Sequence, residues 1–194
     1  MKVHRITGRH LFLGDTGAAL WIEVESEEQI VAISQRIVQG SASLGFVLEP
    51  KIFPYKKETV FAIDFPCDLL YTACELLEWA VEPDADFSCV QAGLVEEENI
   101  AWREIKAWAL DQKCPYFDDE DGVTLGLGAY SQTWALDSLP DPKTLSRSDF
   151  RSIPLVYVTG TNGKTTSSRM LASILREAGF TVGMTSSDGV IVNL

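Results

Sequence analysis

Residues 158–166 read VTGTNGKTT, a glycine-rich turn that carries one lysine and several hydroxyl groups. Residues 153–158, immediately before it, form an almost continuous apolar run, which is typical of a strand buried on both faces of a parallel sheet. Apolar side chains follow at helical spacing over residues 165–178, and residues 180–185 resemble another strand. The order strand, glycine turn, helix and strand predicts one βαβ unit.

The turn has the residue types that phosphate binding requires. Gly160 and Gly163 allow the backbone to approach a ligand closely, and successive backbone N–H groups at a helix start attract phosphate oxygens. Lys164 would reach the β- and γ-phosphates of a nucleotide, and the Thr165 hydroxyl would bind the magnesium ion between them. The match to the pattern G-x-x-x-x-G-K-[ST] is incomplete, because its first glycine falls on Val158.

The same string resembles the ATP-binding turn of the Mur ligase superfamily, which reads T-G-[ST]-x-G-K-[ST]-[ST] after a buried strand. Thr165 and Thr166 after the lysine match the residues found there in the Mur and cyanophycin branches of the superfamily. Residues 183–192, GMTSSDGVIV, are most similar to cyanophycin synthetases. A weaker similarity in layout covers residues 105–117 and 123–132, which resemble the region before the ATP-grasp domain of those enzymes. No ATP-grasp domain follows here, and the clear resemblance covers about residues 153–192, a fifth of the chain.

The resemblance implies an ATP-dependent ligase that forms C–N bonds. In this family a carboxylate receives the γ-phosphate of ATP, and an amine attacks the resulting acyl phosphate. Lys164 would be the catalytic residue and Thr165 the Mg²⁺ ligand. The ATP-binding set would be Gly160, Thr161, Asn162, Gly163, Lys164, Thr165 and Thr166.

A second polar group, Thr185, Ser186 and Ser187, follows the second predicted strand of the unit. Ligands of open parallel sheets collect at the carboxyl ends of strands, so these residues could contact the acceptor substrate or the metal. A run of Ser and Thr after a strand is equally typical of a polar loop.

The fold prediction is an acidic α+β domain over residues 1–137, a linker at 138–150 and the start of an α/β P-loop domain, with a parallel sheet, at 151–194. The linker contains two prolines and several hydroxyl side chains. The family domain needs further strands, an acidic magnesium ligand and a closing C-terminal domain. We therefore expect an N-terminal fragment of a longer ligase that is inactive in isolation, in preference to docking of 151–194 on the first domain.

Periodicity predicts the elements of the first domain, without a strict alternation of strand and helix. A strand at 18–24 precedes a helix that begins after Ser26 and stops at Gly40. The other expected elements are strands at 45–48 and 59–63, a helix starting at Pro66, a helix over 96–112, and a hairpin that turns at 121–122.

Charge and composition exclude several classes of protein. Residues 1–150 carry a net charge of −14 and residues 151–194 carry +2, which argues against a nucleic-acid partner. The acidic excess is most simply a solvated surface, and recruitment of a basic substrate is the alternative. No apolar run is long enough to cross a bilayer and no signal peptide is recognised, so we expect a cytoplasmic protein without a membrane partner. Self-association into a homo-oligomer is left open.

The cysteines and tryptophans indicate packing. Four cysteines lack the spacing of a metal site and are expected to be reduced: Cys67, Cys74, Cys89 and Cys114. Five tryptophans are expected in the core or at its rim: Trp21, Trp79, Trp102, Trp108 and Trp134.

Two other classes of function compete with the ligase. A P-loop NTPase or small-molecule kinase would use the same turn without forming an amide, and a non-catalytic binding or assembly module would use only the acidic domain. A ligase releases phosphate when an acid and an amine are both supplied, whereas a kinase needs one acceptor. The sequence does not identify the acid or the amine.

Overall fold

Two units make up the chain, with the division after Ser152. The computed structural model describes residues 1–193, and Leu194, the last residue of the predicted second domain, lies outside them. The first unit contains two antiparallel sheets and four helices, and the second contains one helix and one hairpin.

The first sheet has the strand order β1-β2-β4-β3. Its strands are β1 (Lys2–Ile6), β2 (Gly17–Ile22), β3 (Lys51–Tyr55) and β4 (Glu58–Asp64), and every neighbouring pair is antiparallel. The strands expected at 18–24 and 59–63 are confirmed. The strand expected at 45–48 is wrong: this stretch is irregular, and the chain enters β3 only at Lys51.

Helix α1 (Glu27–Ser43) begins where the sequence predicts. Ser26 is its N-cap, and the Ser26 Oγ accepts the Gln29 N–H at 3.3 Å, while the Gln29 side chain accepts the Glu25 N–H at 2.9 Å. The predicted stop at Gly40 is wrong, because the helix continues to Ser43. A Cβ at Gly40 would lie 2.6 Å from Leu76 Cδ1, so this glycine allows close helix packing instead.

Helix α2 (Leu70–Val81) starts four residues after Pro66, later than expected. The carboxylate of Glu97 accepts the backbone N–H of Tyr71 at 2.9 Å and of Thr72 at 2.7 Å, and so satisfies two donors of its first turn.

The helix expected over 96–112 is confirmed from Ile100 to Asp111, but it starts later than expected, and residues 96–97 belong to a separate helix. The structure has α3 (Ser88–Glu97) and α4 (Ile100–Asp111). Asn99 interrupts the run, since its backbone N–H donates to Asp68 Oδ2 at 2.7 Å and its side chain accepts the Trp102 N–H at 3.1 Å as the N-cap of α4.

A second sheet has the order β5-β6-β7, formed by β5 (Tyr116–Asp118), β6 (Gly122–Leu125) and β7 (Gln132–Ala135). The hairpin predicted around residues 121–122 is confirmed by the antiparallel pairing of β5 with β6. The third strand was not expected, and Trp134 on it contacts the ring of Phe150 with a centroid distance of 5.9 Å.

The predicted linker, residues 138–150, packs within the first unit. It contains two short 3₁₀ turns, Pro142–Thr144 and Arg147–Asp149, and Phe150 at its end is buried against Trp108 and Trp134. Arg147 Nε donates to the Gln112 carbonyl at 2.9 Å. The apolar side chains of residues 138–150 complete a core that includes Ile105 and Val123.

The second unit contains α5 (Lys164–Glu177), β8 (Val182–Ser186) and β9 (Gly189–Asn193). Residues 153–158 form no strand, and β8 pairs antiparallel with β9 instead of parallel with that run. Leu155, Val156 and Tyr157 are 55%, 66% and 87% exposed. A strand buried on both faces needs neighbours on each side, and the exposure of these three side chains shows that they lack such neighbours.

Among residues 1–193, no helix combines the length and the apolar character that a membrane crossing requires.

Candidate functional site

The glycine turn ends where α5 begins. Gly163 occupies the N-cap with φ 76° and ψ 2°, and Gly160 has φ 148°. Both values lie in the region that favours glycine over residues with a side chain. No atom lies within 4 Å of a Cβ built on Gly163, so its backbone conformation, and not crowding, requires glycine there.

The amino end of α5 has no side-chain cap and no acidic residue in its first turn. At this end, the Ser167 N–H donates to the Gly163 carbonyl at 2.9 Å. The N–H groups before Ser167 have no partner within the helix, and they share the positive end of the helix dipole. The residues predicted to form the ATP site supply these donors, and the end of the helix is suited to an anion.

Lys164 adds a full positive charge to the turn. Its Nζ donates to the Gly160 carbonyl at 2.7 Å and to the Thr161 carbonyl at 3.3 Å, so the ammonium group lies against the predicted loop. The Thr165 side chain is half-buried, whereas Thr161, Asn162 and Thr166 are exposed. The structure therefore brings the predicted lysine and glycines together on one accessible turn.

Thr185, Ser186 and Ser187 lie elsewhere on the unit, at the end of β8 and in the turn to β9. Ser186 Oγ accepts the Asp188 N–H at 3.2 Å, within this hairpin turn. Over residues 153–192, no hydrogen bond connects this group to residues 160–166.

One ion pair at this hairpin was missed by sequence reasoning. Arg169 Nη2 lies 2.8 Å from Asp188 Oδ2 and links α5 to the turn that carries Ser187. The two residues are 19 positions apart, so helical spacing gave no signal of the pair. The pair fixes the hairpin turn near the second turn of α5.

Comparisons with known proteins find short local similarities. No family model matches the chain. The cyanophycin synthetase of a Synechocystis species is 58% identical over 41 residues, which are 21% of this chain and 5% of that protein. The cyanophycin synthetase of Crocosphaera subtropica is 47% identical over 57 residues, 29% of this chain and 6% of that protein.

A UDP-N-acetylmuramoyl-L-alanyl-D-glutamate–2,6-diaminopimelate ligase of Wolinella succinogenes is 45% identical over 53 residues, 27% of this chain and 12% of that protein. The similarity therefore spans a twentieth to an eighth of these relatives, all of which are named as synthetases or ligases. The matched stretches are 41 to 57 residues long, and the motifs of the glycine turn occur within residues 153–192.

Proposed function

Because part of this chain is similar to cyanophycin synthetases and Mur ligases, we propose that it belongs to an ATP-dependent ligase that joins a carboxylate to an amine. The observation that carries the proposal is the uncapped start of α5. There the left-handed Gly163 and the Lys164 ammonium group lie together in a turn with the family motif.

The turn fits the phosphate groups of ATP. Exposed backbone donors, a glycine conformation and one ammonium group form a set that complements several negative oxygens. The binding residues would be Gly160, Thr161, Asn162, Gly163, Lys164, Thr165 and Thr166. The Thr165 hydroxyl at the first turn of α5 would be a side-chain ligand of Mg²⁺, and phosphate oxygens of ATP would be among its other ligands.

In this mechanism, the chain's own groups position the phosphates of ATP and neutralise their negative charge. Lys164 stabilises the negative charge on the phosphoryl group as it passes to the substrate carboxylate. The transfer releases ADP and leaves the substrate as an acyl phosphate. The amine then attacks the acyl carbon, inorganic phosphate leaves, and loss of a proton from the nitrogen gives the amide. The N–H groups at the start of α5 hold the phosphates in place and so lower the entropy cost of the transfer.

The amine and the acid would bind beyond the phosphates. We propose Thr185, Ser186 and Ser187 as contacts for the acceptor substrate, on the strength of their place at the end of β8. We also propose the parallel P-loop sheet for this unit, in which residues 153–158 would become a central strand. Its exposed apolar side chains support that arrangement. ATP is an intracellular substrate, which favours the cytoplasm.

Nucleotide titration of the 194-residue chain tests the proposal. Backbone amide NMR signals of residues 160–166 are followed while Mg²⁺-ATP is added, with adenosine as the matched ligand that lacks phosphate. We expect saturable shifts with ATP and none with adenosine. Equal shifts with both ligands would refute phosphate binding.

A pair of variants tests whether Lys164 supplies the positive charge that binds ATP. Lys164→Ala removes the ammonium group from the turn, whereas Arg176→Ala removes one positive charge from the last turn of the same helix. We expect ATP affinity to fall about tenfold or more in Lys164→Ala, since a charged hydrogen-bond partner is lost, and to change less than about twofold in Arg176→Ala. In the longer protein to which we propose that this chain belongs, phosphate release that needs both an acid and an amine would indicate a ligase, and release that needs one acceptor would indicate a kinase.

A further inference from the structure

The first unit contains a cavity of about 800 Å³ that is separate from the glycine turn. Its walls come from β1, the residues before and at the start of α2, the side chain of Trp102 on α4, and the turn between β5 and β6. Small-molecule sites in proteins commonly have volumes of about 300–1,000 Å³. The cavity is therefore large enough for a small ligand.

The cavity wall is strongly acidic. One arginine, Arg5, faces it, against six carboxylates: Asp68, Glu97, Asp118, Asp119, Glu120 and Asp121. A concave surface with an excess of one charge focuses the electrostatic field inside it, so it concentrates ligands of the opposite sign. The excess of carboxylates favours a cation.

Part of the wall already holds a planar cation of the chain itself. The guanidinium carbon of Arg5 lies 4.0 Å from the centroid of the Tyr71 ring, and Arg5 Nη1 lies 2.6 Å from Glu120 Oε1. The Tyr71 hydroxyl donates to the same carboxylate oxygen at 3.3 Å. An aromatic face and a carboxylate thus combine here to bind a guanidinium group.

Asp118 offers a second carboxylate beside an aromatic side chain. Its Oδ2 accepts the Tyr116 hydroxyl at 2.8 Å and the Trp102 indole N–H at 3.2 Å, and the same N–H donates to the Tyr116 hydroxyl oxygen at 2.8 Å. Both donors are neutral, and within residues 1–193 Asp118 forms no ion pair. Burial raises the pKa of Tyr116, and the neighbouring Asp118 raises it further, so Tyr116 is a neutral donor.

The neighbouring buried groups do not supply the missing positive charge. Asp68 is 4% exposed and is neutralised by Arg103, whose Nε lies 2.7 Å away, while the Lys106 ammonium binds Asp15 at 2.8 Å. Cys67 lines the cavity, is 5% exposed, and forms no side-chain hydrogen bond to another residue of the described chain. Burial raises the pKa of Cys67 to about 12, so it is a neutral thiol.

We propose that this cavity binds a small organic cation, a guanidinium or primary ammonium group, with its charge on Asp118 and its flat or alkyl part against Trp102. A metal ion fits less well, because no three His, Cys, Asp or Glu side chains among residues 1–193 are grouped to hold one. The proposal is independent of ATP binding by the second unit.

Two probes of equal shape test it on the 194-residue chain. n-Butylguanidinium carries the charge, and n-butylurea has nearly the same shape and is neutral. The indole N–H NMR signal of Trp102, assigned by its loss in Trp102→Phe, reports on a donor that is shared between Tyr116 and Asp118 on the cavity wall. We expect a saturable shift with n-butylguanidinium and none with n-butylurea at the same concentrations.

A matched pair of variants tests whether Asp118 supplies the negative charge that binds the cation. Asp118→Asn keeps an acceptor for Tyr116 and Trp102 but removes the charge, and Asp84→Asn removes a charge from an exposed turn outside the cavity. We expect about tenfold or more weaker binding of n-butylguanidinium in Asp118→Asn and less than about a twofold change in Asp84→Asn.

Several results would overturn the proposal. They are no shift with n-butylguanidinium up to about 10 mM, equal shifts with n-butylurea, and equal affinities of the two variants. Displacement of the probe by MgCl₂ at constant ionic strength would assign the cavity to a metal ion instead. Because the comparison of the two probes uses the unmodified chain, it decides the matter even if Asp118→Asn does not fold.

Discussion

The two units differ in what holds them together. The first has three buried hydrophobic clusters, whereas in residues 153–192 of the second only Ala172 is buried. The glycine turn that carries the clear family motif nevertheless belongs to the second unit, and the first unit has only a weaker similarity in layout. A recognisable binding motif and a well-packed core are therefore separate properties, which in this chain occur in different regions.

The largest expected effect contrasts one aromatic residue from each unit. Phe61 on β4 is fully buried, and Phe61→Ala should destabilise the first unit by about 3–5 kcal/mol, because it leaves a cavity. Tyr157 is 87% exposed, and Tyr157→Ala should change stability by less than about 0.5 kcal/mol. Urea unfolding, with tryptophan fluorescence for the first unit and amide exchange for the second, measures both.

All five tryptophans lie in the first unit, so fluorescence reports on that unit alone. If Tyr157→Ala instead exposed the amides of α5 as strongly as Phe61→Ala exposes those of β4, the second unit would have a core that its side-chain exposure does not show. The contrast between the units would then fail.

The next effect contrasts two arginine–aspartate pairs. The Asp68 side chain is fully buried and pairs with Arg103, while Arg169 and Asp188 are 60% and 46% exposed. Arg103→Met should cost about 3 kcal/mol, because it leaves a buried carboxylate without its cation. Arg169→Met should cost at most about 1 kcal/mol, as for other exposed ion pairs.

The same urea and amide-exchange measurements apply to this pair. Arg103 is partly exposed, so water could replace it beside Asp68. A cost below about 1 kcal/mol for Arg103→Met would show that water does so, and would remove the distinction between the two pairs.

Glycine substitutions give a smaller contrast with two separate causes. Gly40→Ala should cost about 2 kcal/mol, because the new methyl group would meet Leu76 and Trp79 between α1 and α2. Gly163→Ala meets no atom, and its cost of about 1 kcal/mol should come from the left-handed backbone alone. Thermal unfolding detects the first, and amide exchange at the start of α5 detects the second.

Asparagine separates these causes, since it tolerates the left-handed conformation better than alanine but is larger. We expect Gly163→Asn to be milder than Gly163→Ala, and Gly40→Asn to be worse than Gly40→Ala. The reverse order at either position would contradict the assigned cause.

Local signals in the sequence predicted local structure well. The N-cap at Ser26 and the hairpin at residues 121–122 depend on neighbouring residues, and both are confirmed. The errors arose from distant partners: Asp68 binds the backbone of Asn99 and so interrupts the expected helix, and Leu76 explains the glycine that was taken for a stop. No periodicity within a segment could reveal contacts 31 or 36 residues away.

The same distinction applies to the sites. The glycine turn is contiguous, so its conformation and its lysine could be anticipated from nine residues. The acidic cavity combines Arg5, Tyr71, Trp102 and Asp118, which come from separate elements. Sequence analysis therefore detected only the acidic excess and assigned the tryptophan to packing.

The smallest expected effect contrasts the two helix starts. Ser26 caps α1 through its hydroxyl, so Ser26→Ala should cost about 1 kcal/mol in urea unfolding. Lys164 begins α5 without a cap and donates only to exposed carbonyls, so Lys164→Ala should change stability by less than about 0.5 kcal/mol. Amide exchange in α5 measures the second value, with Arg176→Ala as the control.

If Lys164→Ala melted α5, any loss of ATP binding in that variant would report unfolding and not a missing phosphate contact. A stable Lys164→Ala therefore makes its ATP affinity a valid measure of the site.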